Sequence, residues 1–146
     1  MLAHVDGLPE SARDLILSGA LAHLVTVNAD CSPQVSCIWT GLDGDEIVSG
    51  HLNPGHRKLL NVTREPRVVL SYEGTIIRPP GLKEYLVVHG QARIEPGGAA
   101  ELLQRLAHVY LGPDVRFPVM DDPPPGVILH ITPRRVSGVG PWSDAG

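Results

Sequence analysis

A cationic triplet, His56-Arg57-Lys58, stands directly after the turn sequence Asn53-Pro54-Gly55 and before an apolar stretch. The turn predicts that a helix begins near Gly55, which places the triplet in its first turn. Cations at this end oppose the helix macrodipole. An anion bound there would instead meet free N–H groups, the dipole and the two basic side chains together. A solvated helix face would show the same pattern, so the triplet alone favours neither reading.

Small polar residues accompany the triplet. A predicted strand at 46–51 ends in Ser49-Gly50-His51, immediately before the turn. Ser36 and Thr40 lie along the facing predicted strand at 33–40. A hydroxyl-rich groove beside a basic helix start suits a phosphorylated, planar cofactor. Each hydroxyl taken singly also fits an ordinary solvent-facing position.

Composition and charge argue against two classes of protein, those that bind nucleic acid and those that span a membrane. The chain has 146 residues, of which 42% are hydrophobic and 19% charged, and its net charge is −4. A mildly acidic chain argues against general nucleic-acid binding, which needs a broad basic surface. No segment reaches the ~20 apolar residues that span a bilayer, and the N-terminal sequence does not resemble a signal peptide. We therefore expect one cytoplasmic domain, residues 1–146, that binds neither nucleic acid nor membrane.

Other reactive side chains form no recognisable site in the sequence. Seven histidines are scattered without an HxH or HExxH pair, so we expect no metal site. Cys31 and Cys37 form no CxxC pair and fit free thiols in a reducing compartment. Asp121 and Asp122 are adjacent in a proline-rich segment, which suits a solvated loop. Because no Ser-His-Asp or Cys-His motif stands out, a cofactor is expected to carry the chemistry, and no catalytic residue is assigned.

The periodicity of apolar residues predicts the element order α-βββ-α-ββ-α-β. The predicted helices are at 8–19, 53–65 and 97–112, and the predicted strands are at 22–30, 33–40, 46–51, 67–73, 84–95 and 127–140. Asp43-Gly44 signals a hairpin, so the first three strands are expected to form an antiparallel meander. Residues 74–83 and 113–126 are predicted to be irregular, Pro133 to bulge the last strand, and residues 141–146 to form a tail. Many antiparallel strands with few helices indicate a mainly β (α+β) barrel.

Five segments, in their order and spacing, resemble one known family. They are SPQVSCIW, DGDEIV, HRKLLNVTREPRVVLSY, YLVVHGQARIEPGG and ITPRRVSGVGPW. Over roughly residues 8–142 the chain is similar to the pyridoxamine-5′-phosphate-oxidase-like split β-barrel family, whose fold is also that of flavin reductases. It looks closer to the actinobacterial branch that uses the deazaflavin coenzyme F420. The resemblance implies a split β-barrel of about six antiparallel strands, and a homodimer with cofactor sites at the subunit interface.

The resemblance also implies roles for particular residues. Arg57 and Lys58 would meet the cofactor phosphates, and Asn61 completes the K-x-x-N piece of the same helix. The ring would lie against a strand and a strand end. This assigns to the cofactor site the residues Gln34, Val35, Ser36, Cys37, Trp39, Ser49, Gly50 and His51.

The activity implied by the resemblance is hydride transfer between reduced deazaflavin and a small organic acceptor. Pyridoxamine phosphate oxidases carry a C-terminal signature of Trp and Arg, whereas no arginine follows Trp142 here, and that activity is not expected. Packing in the core or across a dimer is favoured for Trp142. The alternatives are an FMN-binding oxidoreductase, a non-catalytic cofactor carrier, or a haem-binding protein with His51 or His56 as the axial ligand.

Overall fold

The computed structural model describes residues 3–4 and 7–143, which contain three helices and eight strands. None of these helices is long and apolar enough to cross a membrane. The strands are β1 (Ala3–His4), β2 (Ala22–Val27), β3 (Pro33–Ile38), β4 (Gly41–Asp43), β5 (Glu46–His51), β6 (Arg67–Arg78), β7 (Leu82–Pro96) and β8 (Val127–Val139). The helices are α1 (Glu10–Leu17), α2 (Arg57–Arg64) and α3 (Ala99–Tyr110).

All the strands belong to one antiparallel sheet whose order is β3-β2-β6-β7-β8-β5-β4, with β1 added on β8. β3 and β4 are consecutive along the chain, yet they stand at opposite ends of this order and do not pair. The sheet is therefore not closed into a continuous barrel, and the split barrel expected from the sequence is confirmed. The opening between the two edges contains the candidate functional site.

The core fills the inner face of the curved sheet. In β2 the buried residues alternate with half-buried ones, as expected for a strand with one face on the core. The largest wholly buried side chains include Tyr72, Leu24, Leu70, Leu86 and Leu129. A second, smaller cluster lies under α3, where Leu102 and Leu106 pack against Val48 of β5.

The predicted three-stranded meander is wrong. β2 pairs with β3 and β4 pairs with β5, but the chain crosses from one sheet edge to the other between residues 38 and 41. The hairpin signalled by Asp43-Gly44 is present, with Gly44-Asp45 as its two-residue loop and Gly44 at φ +59°. The short strands β1 and β4 were not predicted, since two or three residues carry no readable alternation.

The prediction of irregular structure at 74–83 is also wrong. β6 continues to Arg78 and β7 begins at Leu82, so only Pro79-Pro80-Gly81 forms the turn. The pairing shifts register between Glu73 and Ile77 and then resumes. Cross-strand pairing therefore extends these strands beyond the point where their own sequence pattern fades. The bulge predicted at Pro133 is present: His89 pairs with Arg135 and Gly90 with Pro133, which leaves Arg134 as the extra residue.

Candidate functional site

A pocket of about 220 Å³ lies at the opening between the two sheet edges. β3 forms one wall: among the described strands it pairs with β2 alone, which leaves its other edge free. The end of β5 forms the opposite wall, since the pairing with β4 covers residues 46–48 and leaves Ser49, Gly50 and His51 beyond it. The pocket is lined by Leu21, Cys37, Ile38, Trp39, Gly50, His51, Lys58, Leu103 and Phe117.

The start of α2 supplies the pocket's positive charge. Arg57 is the first helical residue and His56 is the N-cap, but the His56 side chain makes no capping hydrogen bond. Within the described part of the chain, the N–H groups of Arg57 and Lys58 donate to no acceptor. No carboxylate there pairs with Lys58 either. This helix start therefore combines unsatisfied donors, the positive end of the dipole and an uncompensated ammonium.

Burial lowers the pKa of two pocket residues. Lys58 is half-buried, and the loss of solvent lowers the pKa of its ammonium. Burial, aided by the charges of Lys58 and His56, lowers the pKa of His51 to about 4. His51 is therefore a neutral imidazole at neutral pH. Its Nε2 lies 2.7 Å from Ser49 Oγ, and this hydrogen bond fixes the orientation of the ring.

Aromatic rings form the other end of the pocket. The Trp39 ring stacks on Tyr110 with centroids 5.4 Å apart and an interplanar angle of 9°. Phe117, from the segment between α3 and β8, also packs against Trp39, with centroids 5.2 Å apart and an interplanar angle of 59°. The Tyr110 hydroxyl donates to Ala20 O at 3.0 Å and accepts the Thr40 N–H at 3.1 Å. Trp39 thus packs against two aromatic rings.

The structure brings five of the predicted site residues into one pocket: Cys37, Trp39, Gly50, His51 and Lys58. Ser49 lies behind His51 as its hydrogen-bond partner, and Arg57 is exposed beside the entrance. Ser36 lies on the face of β3 turned towards α2, where its Oγ is buried and has no hydrogen-bond partner in the described residues. Val35 points to the opposite face and is 57% exposed.

Two further predicted residues, Gln34 and Asn61, lie in a buried polar network next to the pocket. Asn61 Nδ2 donates to Thr26 Oγ1 at 3.0 Å and to Asn28 Oδ1 at 2.9 Å. Thr26 Oγ1 donates in turn to Gln34 Oε1 at 3.0 Å. Thr40, expected in the hydroxyl-rich groove, is instead 2% exposed, with its hydroxyl 2.7 Å from the Tyr72 hydroxyl.

Sequence reasoning missed Leu21, Leu103 and Phe117. Leu103 reaches the pocket because α3 packs closely on β5 at Gly50, where an added Cβ would lie 3.0 Å from Ala99 O and from Leu103 Cγ. Phe117 is anchored by its N–H, which donates to Gln104 Oε1 at 3.1 Å. Phe117 is the chain's single phenylalanine and stands in a proline-rich loop. An isolated aromatic residue in such a loop was the one available signal.

Cavities of about 440 and 650 Å³ lie elsewhere on the surface. The larger lies between α1, the β6–β7 hairpin and Trp142, and none of the described residues that line it is a lysine or an arginine. The smaller lies on the outer face of the sheet. The pocket at the split is smaller than either, yet it combines a neutral buried histidine, an unpaired cation and stacked aromatic rings, which makes it the candidate site.

Comparison with solved structures agrees with the split-barrel fold. Among solved structures, an F420 reductase is 29% identical over 89% of this chain and 98% of its own, with a TM-score of 0.71. A conserved hypothetical protein from Mycobacterium tuberculosis is 18% identical, with coverage of 99% and 98% and a TM-score of 0.70. An FMN-binding protein from Syntrophomonas wolfei subsp. wolfei is 15% identical, with coverage of 90% and 85% and a TM-score of 0.65. The latter two show the fold alone.

No curated protein matches the chain. The sequence profile of the family described as pyridoxamine 5′-phosphate oxidase matches residues 8–140. That match contains every strand from β2 to β8 and all three helices. The chain therefore belongs to the pyridoxamine 5′-phosphate oxidase family.

Proposed function

We propose that the chain is an oxidoreductase that binds coenzyme F420 at the split of its barrel and reduces a small organic acceptor. The observation that carries the proposal is Lys58 at the uncapped start of α2, which is half-buried and has no ion-pair partner among the described residues. Such a site favours a phosphate, because free N–H groups, the helix dipole and the ammonium act on the same anion. The F420 reductase that is 29% identical to this chain supports the choice of cofactor.

The residues present fit such a group. Lys58 and the N–H groups of α2 would bind the phosphate, with Arg57 at the entrance. The buried Ser36 hydroxyl lacks a partner, and a polar ligand at β3 would supply one. Cys37 and Trp39 on one side, with Gly50 and His51 on the other, would flank the ring. A bound reduced deazaflavin would supply a hydride, while the neutral His51 adds no charge that would oppose a cationic or neutral acceptor.

The proposal includes a homodimer with the cofactor site at the subunit interface. A pocket of about 220 Å³ is smaller than the roughly 300–1,000 Å³ typical of ligand sites, and we infer that a second chain completes it. The outer sheet face offers a surface for that chain: Val25, Val27 and Val69 line its shallow cavity of about 440 Å³. Stable interfaces of this kind usually bury more than roughly 1,000 Å² in total.

The dimer can be tested apart from the cofactor. Val69→Asp places a charge on the outer face of β6, so we expect light scattering at micromolar concentration to change from a dimer mass to a monomer mass. Val109→Asp is the matched control, since Val109 is 52% exposed on α3, away from that face. A wild-type chain that scatters as a monomer would contradict this part of the proposal.

The cofactor is tested by titrating the purified protein with F420 and, separately, with FMN. Trp39 lies in the pocket and Trp142 lies in the core, so ligand binding should quench Trp39 emission and spare Trp142. Trp39→Phe should abolish the quenching. Tighter binding of FMN than of F420 would replace the deazaflavin with the flavin in this proposal. A haem absorption band in the purified protein, or no binding of either cofactor, would reject it.

A further inference from the structure

The polar network beside the pocket joins two elements that form the candidate site. Asn61 belongs to α2, whose first turn carries Lys58. Gln34 belongs to β3, whose later residues line the pocket. Thr26, at the centre of the network, lies on β2, which lines no part of the pocket. The network therefore connects the cationic wall to the strand wall through a residue that lies outside the site.

The hydrogen bonds run in one direction through the Thr26 hydroxyl. It accepts from Asn61 Nδ2 at 3.0 Å and donates to Gln34 Oε1, also at 3.0 Å. Among side-chain groups that fit this space, only a hydroxyl can accept and donate at a single atom. Thr26 is fully buried and Asn61 is 1% exposed, so water cannot replace the bond between them. Without the hydroxyl, Asn61 Nδ2 would keep only its bond to Asn28 Oδ1, and the half-buried Gln34 Oε1 would lose its partner.

The hydrogen bond from Thr26 also determines which atom of the Gln34 side-chain amide is free to form another hydrogen bond. Its Oε1 is occupied by Thr26, whereas its Nε2 is 3.5 Å from Val35 O, at the limit of a hydrogen bond. Ser36 lies two residues along on the same face of β3, next to Cys37 in the pocket wall. Lys58 lies one helical turn before Asn61, on the same side of α2. Ser36 is thus two strand positions from Gln34, and Lys58 is one helical turn from Asn61.

We propose that Thr26 is a positioning residue. Its hydroxyl fixes the spacing between the start of α2 and β3, through Asn61 on one side and Gln34 on the other. Gln34 is not among the residues that line the pocket, so Thr26 would act on a bound cofactor by placing Lys58, which would meet the cofactor phosphate. The part concerning the ligand rests on the proposed function, whereas the part concerning spacing does not.

The experiment compares Thr26→Val, which keeps the shape without the hydroxyl, with Thr26→Ser, which keeps the hydroxyl. Thr132→Val is the matched control, because its hydroxyl donates to Glu46 at 3.2 Å on β8, away from the pocket. In the ligand-free protein we expect Thr26→Val to speed amide hydrogen exchange in α2 about tenfold relative to α3. Thr26→Ser and Thr132→Val should leave that ratio unchanged.

Binding is then measured with F420 by Trp39 fluorescence and with inorganic phosphate by NMR shifts of the Arg57 and Lys58 amides. Thr26→Val should weaken F420 about tenfold, and Thr26→Ser should restore the affinity. If Thr26→Val does not fold, Thr26→Cys, which replaces the hydroxyl with a weakly hydrogen-bonding thiol, is used instead and should also speed α2 exchange. Unchanged α2 exchange in whichever variant folds would overturn the inference. If wild type binds neither probe, the proposed function fails while the exchange experiment still tests the spacing.

Discussion

The helices α2 and α3 differ in how the charged residues in their first turns suit the helix dipole. α3 has Glu101 in its first turn and His108 in its last, and both positions suit the helix dipole. α2 has no acidic residue in its first turn, where Arg57 and Lys58 stand instead. α3 packs through an apolar face, whereas α2 adds the buried Asn61 and its network to Leu59 and Val62. We conclude that the sequence of α3 favours stability of the fold. In α2, the charges of the first turn oppose the helix dipole at the end that faces the pocket.

The largest expected effect tests the stability half of this comparison. Leu106 is 5% exposed and packs under α3 with Val48 and Leu102. Leu106→Ala should lower the free energy of unfolding by about 2–5 kcal/mol, since it opens a cavity in a packed cluster. Chemical denaturation measures this loss. A loss below about 0.5 kcal/mol, typical of a surface substitution, would show that α3 does not depend on this face.

The next effect concerns pH and the pocket beside α2. The pKa of His51 in the folded chain is about 4, below its ordinary 6.5, so the unfolded chain binds the proton first. Stability is then complete above pH 6.5 and falls as the pH drops from 6.5 towards 4, by at most roughly 3 kcal/mol from this residue. Denaturation at several pH values should show this acid limb. His51→Gln should flatten it, and Lys58→Ala should reduce it, because the Lys58 charge contributes to the shift. An acid limb of the same size in His51→Gln would assign it to other groups.

A somewhat smaller effect sharpens the functional half of the comparison. Arg57→Ala and Lys58→Ala should each weaken F420 binding by roughly 1.5–3 kcal/mol, or about tenfold to a hundredfold. The same substitutions should leave the melting temperature of the empty protein unchanged or slightly higher, since each removes a cation from the unfavourable end of the dipole. Calorimetric titration at two salt concentrations measures the affinity, which should fall with added salt.

The matched control for this prediction lies on the other helix. Arg105 is an exposed cation of α3 that does not line the pocket, so Arg105→Ala should bind F420 like wild type. Wild-type affinity in both α2 variants at both salt concentrations would identify the triplet as a solvated helix face.

Local signals in the sequence identified most of the elements. Turn residues and apolar spacing gave α2 and α3 to within a few residues, and alternation gave the long strands. The path between β3 and β4 was not predictable, because a hairpin signal at Gly44 reports only the strands beside it. The extension of β6 to Arg78 depends on pairing with β7, which the sequence of either strand alone does not reveal.

The site was predictable where a residue's neighbours along the chain determine its role. Lys58 and His51 follow from a helix start and a strand end that adjoin in sequence. Phe117 and Leu103 enter the pocket through packing between distant segments, and no local pattern carries that information. The Thr40 hydroxyl was placed in the wrong environment for the same reason, since its partner Tyr72 lies on a strand far along the chain.

The strand order also has a consequence for the kinetics of folding. β6 and β7 are joined by a three-residue turn and can pair early, whereas β5 pairs with β8 only after a long loop closes, as Ile47 meets Ile131. The pocket needs both free edges, so we expect it to be assembled late in folding. We expect the contacts that a bound ligand would stabilise there to form after the transition state. We expect such a ligand to slow unfolding and to leave the rate of folding nearly unchanged.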